Sequence, residues 1–387
     1  MQNKKFATSL IMGGLIMSAA LVGCGNDAGD TVKEDDHIIT LQLVPSNSPS
    51  TLLTNAQKLT PILEKLEPGY TFNISVSTSY ASAATALWNG QLDGAFLPAG
   101  NYAQVTEEHP GKVDVLLSAT RAGYKVQAED FPGFDETAKE NQRNAMNGKN
   151  GYDYKGQQST KEVSYYSSIM MCLRDEKRVA LGKSKLDLNN DGEVTIEEIK
   201  QAGATVGHMA VGSSAGYNYP SKYLVDHGFT KGFVDGAKYD ALSEEDKKLA
   251  VRGVVTPSYP SAVDGLMDGT YDVVCGFMDI RYGSAYVQAT SKWKGDDSLF
   301  TDTYTVAITD PIFNDTLSVY KNIAPTKRAA IADAFKKAVK DGDKGTEGTG
   351  AYYLYQIYSH TGYSDAEDAN YDSARSMYNW MKDNHLA

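Results

Sequence analysis

The chain has 387 residues, 41% of them hydrophobic, and a formal net charge of −12. That length and composition predict ordinary globular cores arranged as two lobes. The acidic balance, with no cluster of Lys and Arg to track phosphates, argues against nucleic acid as a partner.

At the N-terminus, Lys4 and Lys5 precede an apolar run from Phe6 to Val22 that ends in Leu21-Val22-Gly23-Cys24. A basic head, a short apolar core and a small residue before a cleavage point predict a secretory signal over residues 1–24, not a spanning helix. The last four residues resemble the lipobox of bacterial lipoproteins. That resemblance implies a lipidated Cys24 and a membrane anchor on the extracytoplasmic face. Residues 25–36, polar and acidic, predict a flexible tether.

Structure is then predicted in regular alternation. "HIITLQLVP" is a strand stopped by Pro45, and "SPSTLLTNAQKLTPILEKLEPGY" a helix with Leu52, Leu53, Leu59, Ile62, Leu63 and Leu66 on a recurrent face. "TFNISVSTS", "YASAATALWNGQ" and "LDGAFLP" continue as strand, helix and strand, and "KVDVLLSAT" leads out of the first lobe. Residues 125–161, rich in Gly, Asn and Gln, predict a surface insertion. "EVSYYSSIMMCLR", "ATVGHMAVG", "AVRGVVT" and "YDVVCGFMD" are strands, "AGYNYPSKYLVDHGF" and "SAVDGLMDGT" helices, and the chain finishes in helices. The fold class is α/β: two lobes, each a mainly parallel sheet flanked by helices. Lobe I takes residues 37–122 and 306–387, and lobe II takes 123–305. Cys172 and Cys275 fall in apolar strands, and their pairing is left open. His208 is expected as a core histidine.

"DLNNDGEVTIEE" meets the calcium-loop pattern D-x-[DN]-x-[DN]-G-x5-E. Asp187, Asn189 and Asp191 supply side-chain oxygens, Gly192 the sharp turn, and Glu193 its backbone carbonyl. Thr195 acts directly or through water, and Glu198 closes the shell with two oxygens. An all-oxygen set suits Ca2+ over zinc or copper. With no nucleophile or general base beside it, the loop is expected to be structural and to order an insertion in lobe II.

Three strand-to-helix junctions are rich in hydroxyl donors. They are Ser46, Asn47 and Ser48; Ser79 and Tyr80, after Ser77 and Thr78; and Ser213 and Ser214. Helix starts present free N–H groups and a positive dipole end, and open α/β sheets bind ligands at the carboxyl ends of their strands. Together they point to a cleft for an anionic solute, which Tyr80, Tyr102, Tyr217 and Tyr259 could wall.

The segments "LQLVPSNSPSTLLTNAQKLTPILEKL", "TSYASAATALWNGQLDGAFLPAGNY", "VGSSAGYNYPSKYLVDHG", "SYPSAVDGLMDGTYDVV" and "DPIFNDTLSVYKNIAP" resemble, in this order, the phosphate/phosphonate/phosphite substrate-binding proteins of ABC transporters. The resemblance implies a type II periplasmic-binding fold, a small oxyanion solute, a membrane permease as partner, and a monomer. Family members read S-T-S-G-Y at the helix start that holds the phosphonate. This chain reads Ser213-Ser214-Ala215-Gly216-Tyr217. Tyr80 matches the family's first-lobe Tyr, Tyr259 replaces a His, and Asp279 matches the acid that some relatives set against a ligand ammonium. Leu97-Pro98-Ala99-Gly100 intervenes before Tyr102 where relatives carry an aromatic-Gly pair. The alternative reading is a calcium-dependent cell-surface interaction protein built on the same scaffold. An enzyme is not expected, since no G-x-S-x-G elbow, Cys/His pairing or open His metal site is present.

Overall fold

The structure, a computed structural model, describes residues 31–386. The signal segment and Cys24 lie outside the described residues. The end of the expected tether is tied down: Lys33 N–H donates to the Asn322 carbonyl, and Asp35 accepts from the Tyr70 and Thr326 hydroxyls.

Lobe I begins with β1 (Ile38–Leu43), helix α1 (Pro49–Leu66), β2 (Thr71–Val76), helix α2 (Tyr80–Trp88), β3 (Gly94–Leu97), helix α3 (Ala99–Glu108) and β4 (Val113–Tyr124). In β1 the alternating Ile39, Leu41 and Leu43 are buried, as a strand with one core face requires. In α1, capped by Ser48 with Pro49 in its first turn, Leu52, Ala56, Leu59 and Leu63 recur every three or four residues and are buried. Leu53, expected on that face, points out and is 41% exposed.

Residues 125–161 are not a plain surface insertion. They form a turn at Val126–Asp130, helix α4 (Glu136–Met146) and the start of β5 (Gln158–Val163), and they bury Val126, Ala145, Met146 and Tyr154 in the core. The amides that made this segment look solvated are spent inside. Gln142, fully buried, donates to the Phe131 and Gly133 carbonyls and accepts from Gln127, which also donates to Ser167.

The chain passes from the first sheet to the second between β5 and β6 (Tyr165–Leu173), although α4 already packs on lobe II, with Asn147 hydrogen-bonded to Thr305. It continues through helix α5 (Asp175–Ala180), helix α6 (Ile196–Gln201), β7 (Val206–His208), helix α7 (Tyr219–Asp226), β8 (Phe233–Asp235), β9 (Val251–Val255), β10 (Val273–Phe277) and β11 (Thr303–Phe313). It returns as β12 (Thr316–Tyr320) and β13 (Gly362–Asp365). The first sheet runs β13-β4-β12-β3-β1-β2, with β5 added beside β4, and the second runs β11-β6-β10-β7-β9-β8. Parallel pairs form the β2-β1-β3 and β10-β7-β9-β8 portions, and antiparallel strands complete each sheet. Residues 306–313, expected in lobe I, belong to lobe II, because β11 pairs along the whole length of β6 and the return crossing comes only after Phe313. β6 is buried over nearly its whole length, which its unbroken run "SSIMMCL" requires.

Cys172 and Cys275 are free and fully buried on neighbouring strands, and His208 is buried and stacked on Phe233. After β10, Asp279 and Arg281 are 0% and 1% exposed and share three hydrogen bonds through the guanidinium. Arg281 also donates to Thr303 and lies over the rings of Tyr154 and Phe300. Breaking such a pair leaves a charge in a medium that cannot solvate it. Arg281→Met is expected to cost about 3–5 kcal/mol of stability, read by denaturant unfolding, with most of the loss recovered in the Asp279→Asn/Arg281→Met double variant. A single variant as stable as the parent would refute this role.

Candidate functional site

Between the lobes lies a partly open cavity of about 60 Å3. A buried water needs about 10–15 Å3 of such space, so the cavity holds several water-sized groups. From lobe I its walls are Ser46 and Asn47 after β1, Tyr80 at the start of α2, and Arg121 on β4. From lobe II they are Ser213, Ser214 and Ala215, Tyr259, and Tyr166 at the start of β6.

Ser213 ends the loop after β7 and caps the helical turn Ser214–Asn218, which runs directly into α7. Its Oγ accepts from Gly216 N–H and is 2.9 Å from the Tyr259 hydroxyl. Burial pushes the Tyr80, Tyr166 and Tyr259 phenols above their usual range, so each remains a neutral hydroxyl donor across physiological pH.

Arg121 is the cavity's cation, and it was not anticipated from the sequence. One arm pairs with Asp315, its plane lies 4.7 Å from the centroid of Tyr166, and its buried Nε–H has no partner. Burial works to raise the Asp315 carboxyl, but Arg121 and His360 outweigh it and hold the group below the usual carboxylate range. Asp315 is therefore ionised and cancels much of the Arg121 charge. The field that remains is set by oriented donors, the hydroxyls and the helix-start N–H groups.

The other anticipated residues are placed elsewhere. Ser48 caps α1 at the cavity mouth, and Ser79 caps α2 reciprocally with Ser82. Tyr102 is buried and donates to Asp368. Gly216 lies behind Ser213, and Tyr217 packs beside His208 and Phe233. Asp279 is committed to Arg281, so it does not face a ligand. Arg121 and Asp315 were missed because one lies inside the long strand β4 and the other sits in a short crossing, and only the fold brings them together.

In the 187–198 loop, Asn190 and Gly192 adopt φ of +59° and +84°, and Thr195 and Glu198 form a reciprocal cap on α6. Asp187 accepts from Asp191 and Gly192 N–H, Asp191 from Glu193 N–H, and Glu198 from Leu188 and Thr195 N–H. The Glu193 side chain turns to Arg143 and Lys149, which leaves its backbone carbonyl for the loop. Among the described residues no three His, Cys, Asp or Glu side chains converge on a metal-sized site. The donor set, all oxygen, still fits a hard cation. Leu186, Val194, Ile196 and Ile199 anchor the segment in the lobe II core.

Two hydrogen bonds cross the cleft beside the cavity. Gly100 N–H, in the first turn of α3, donates to Ser214 Oγ at 3.0 Å, and Tyr259 N–H donates to the Ser46 carbonyl at 3.3 Å. The first leaves the Ser214 proton free to donate. At Gly100 a Cβ would meet Asn218 Nδ2 at 2.9 Å and Ser214 Oγ at 3.0 Å. Overpacking of this kind costs about 1–3 kcal/mol. Gly100→Ala is thus expected to open the lobes, read as a larger radius of gyration by X-ray scattering. An unchanged scattering curve would show that closure does not need this contact.

Residues 41–371 match the family described as ABC transporter, phosphonate, periplasmic substrate-binding protein. No curated protein sequence matches the chain. Among solved structures, a binding-protein component of an ABC phosphonate transporter from Pseudomonas aeruginosa is similar at 12% identity and TM-score 0.58, over 90% of this chain and 87% of that one. PhnD1 from Prochlorococcus marinus, solved with methylphosphonate, is similar at 11% identity and TM-score 0.56, over 89% and 98%. A Xanthomonas citri protein solved with ATP is similar at 12% identity and TM-score 0.54, over 90% and 99%. Among the described residues no helix is long and apolar enough to cross a membrane. The structural neighbours carry the type II periplasmic-binding fold, and the match over residues 41–371 carries the family: this chain belongs to the phosphonate-binding substrate-binding proteins of ABC transporters, which capture solutes and are not enzymes.

Proposed function

We propose that the chain captures a small phosphorus oxyanion, a phosphonate, phosphite or phosphate, in the cavity between its lobes and delivers it to an ABC permease. The observation that carries this reading is the meeting, in one cavity between the lobes, of the hydroxyls of a capped helix start and of Tyr80 and Tyr259 with the guanidinium of Arg121. An oxyanion there receives donors from Ser213, Ser214, Tyr80, Tyr259 and Arg121 and expels water, which strengthens each contact. Closure follows because the closed form offers these donors together, so the ligand binds it better than the open form. In this reading Cys24 is lipidated and holds a monomer outside the cytoplasmic membrane. The other reading, a calcium-dependent surface interaction protein, is disfavoured by the family match.

Calcium has a structural part in this proposal. Asp187, Asn189, Asp191 and Glu198 would hold the ion with the Glu193 carbonyl and Thr195, stapling the segment between α5 and α6 without touching the solute.

Two measurements test these statements. Isothermal titration with phosphate, phosphite and methylphosphonate should give binding, and Ser214→Ala should lose about 1.5–3 kcal/mol of it through one missing donor to an anion. No binding of any of the three would sink the solute assignment. For calcium, Asp187→Ala/Glu198→Ala should remove the rise in melting temperature on adding Ca2+ while leaving solute affinity within several-fold. A parent chain whose melting temperature ignores Ca2+ refutes the staple.

A further inference from the structure

The cavity that would hold the oxyanion is not the whole of the space between the lobes. Beside it lies a second chamber of about 600 Å3, half open to solvent, and the two share Asn47, Ser284 and Gln288 as common wall. The outer chamber has the volume of a site for a ligand well beyond one head group.

Its walls are specific in chemistry. On the lobe I side the first turns of α1 present Ser48, Thr51 and Asn55. Facing them are Trp293, whose indole N–H is fixed by a 2.7 Å hydrogen bond to Asp264, and the amides of Gln288 and Gln356. Both glutamines are 8% exposed, and neither side-chain amide hydrogen-bonds to any protein group among the described residues. Their amide atoms keep some exposure at the chamber, where water satisfies them in the free protein and a ligand can do so in a complex. The charged groups at the rim neutralise one another, Lys58 with Glu347 and Lys292 with Asp264, so the chamber offers no net charge to a second ionic group.

Amides and hydroxyls both donate and accept, as alcohol groups do, and an indole face covers the apolar side of a carbon ring or chain. From this we infer that the solute is a phosphorus oxyanion carried on a hydroxylated group of polyol or sugar size, with the oxyanion in the inner cavity and its carrier in the outer chamber. This rests on the oxyanion reading of the inner cavity and names the class of solute within it.

The test is isothermal titration of the purified chain with methylphosphonate, glycerol 3-phosphate and ribose 5-phosphate. At least one hydroxylated phosphate should bind about tenfold or more tighter than methylphosphonate. Gln356→Ala and Trp293→Ala should each erase most of that advantage and leave methylphosphonate affinity unchanged. If methylphosphonate binds as tightly as both hydroxylated compounds, the carrier inference is overturned and the oxyanion reading stands. An advantage that survives both substitutions also overturns it, since the carrier then lies elsewhere. If none of the three compounds binds, the oxyanion reading falls and the inference with it.

Discussion

Everything in the cleft depends on how the strands that pass between the two sheets are held together. Asn314, fully buried in the return crossing, donates its backbone N–H to the Ser164 carbonyl and its side-chain amide to the Val163 carbonyl, both at 2.9 Å. The outgoing and returning strands are thereby tied side by side. Tyr371, near the C-terminus, donates to the Asn314 carbonyl from the other side. These strands form the sheet-to-sheet part of a hinge, and α4 and the C-terminal helix, through Asn147 against Thr305 and Met377 and Met381 in the lobe II core, bridge the lobes as well. The next residue is Asp315, so the ion pair that sets the charge of the cavity lies beside the strands that join the lobes.

This placement fits the electrostatic problem that an acidic chain faces in binding an anion. With a net charge of −12 the long-range field is unfavourable, and one exposed cation would be screened within about 10 Å at moderate salt. In the proposed oxyanion reading the cavity would rely on short-range dipoles, which count for most where effective dielectric is low. Asp315 takes much of the Arg121 charge. The cross-cleft bond from Gly100 to Ser214 joins one of these hydroxyls to the other lobe through its acceptor side.

The order of strands and helices was legible because each element's period matches the face it buries, as in β1 and α1. Serine-rich junctions were legible as helix caps, and Ser213 and Ser214 reach the cavity because their helix starts at the cleft. Ser79 has the same local pattern, but its hydroxyl is consumed by the reciprocal cap with Ser82, a difference in side-chain direction that spacing does not carry. Asp279 sits two residues from Arg281 in the sequence. Whether such a pair is solvated or buried depends on what packs over it, here Tyr154 and Phe300 from distant segments. Tyr154 belongs to the stretch that composition marked as surface, because Gln and Asn counts cannot tell an amide facing water from one facing carbonyls. Arg121 and Asp315 meet across 194 residues, beyond the reach of any local pattern.

The two cysteines have a practical side. Both are 0% exposed, and burial pushes the Cys172 thiol up to about 12 and Cys275 higher still. Neither offers an accessible thiolate at neutral pH. Within residues 31–386 the chain is therefore silent toward thiol reagents, and a cysteine introduced at an exposed rim position such as Thr54 would be the one site there to react. A dye attached at that position would stand at the cleft without disturbing the core, where a change in lobe spacing on ligand binding would become an optical signal.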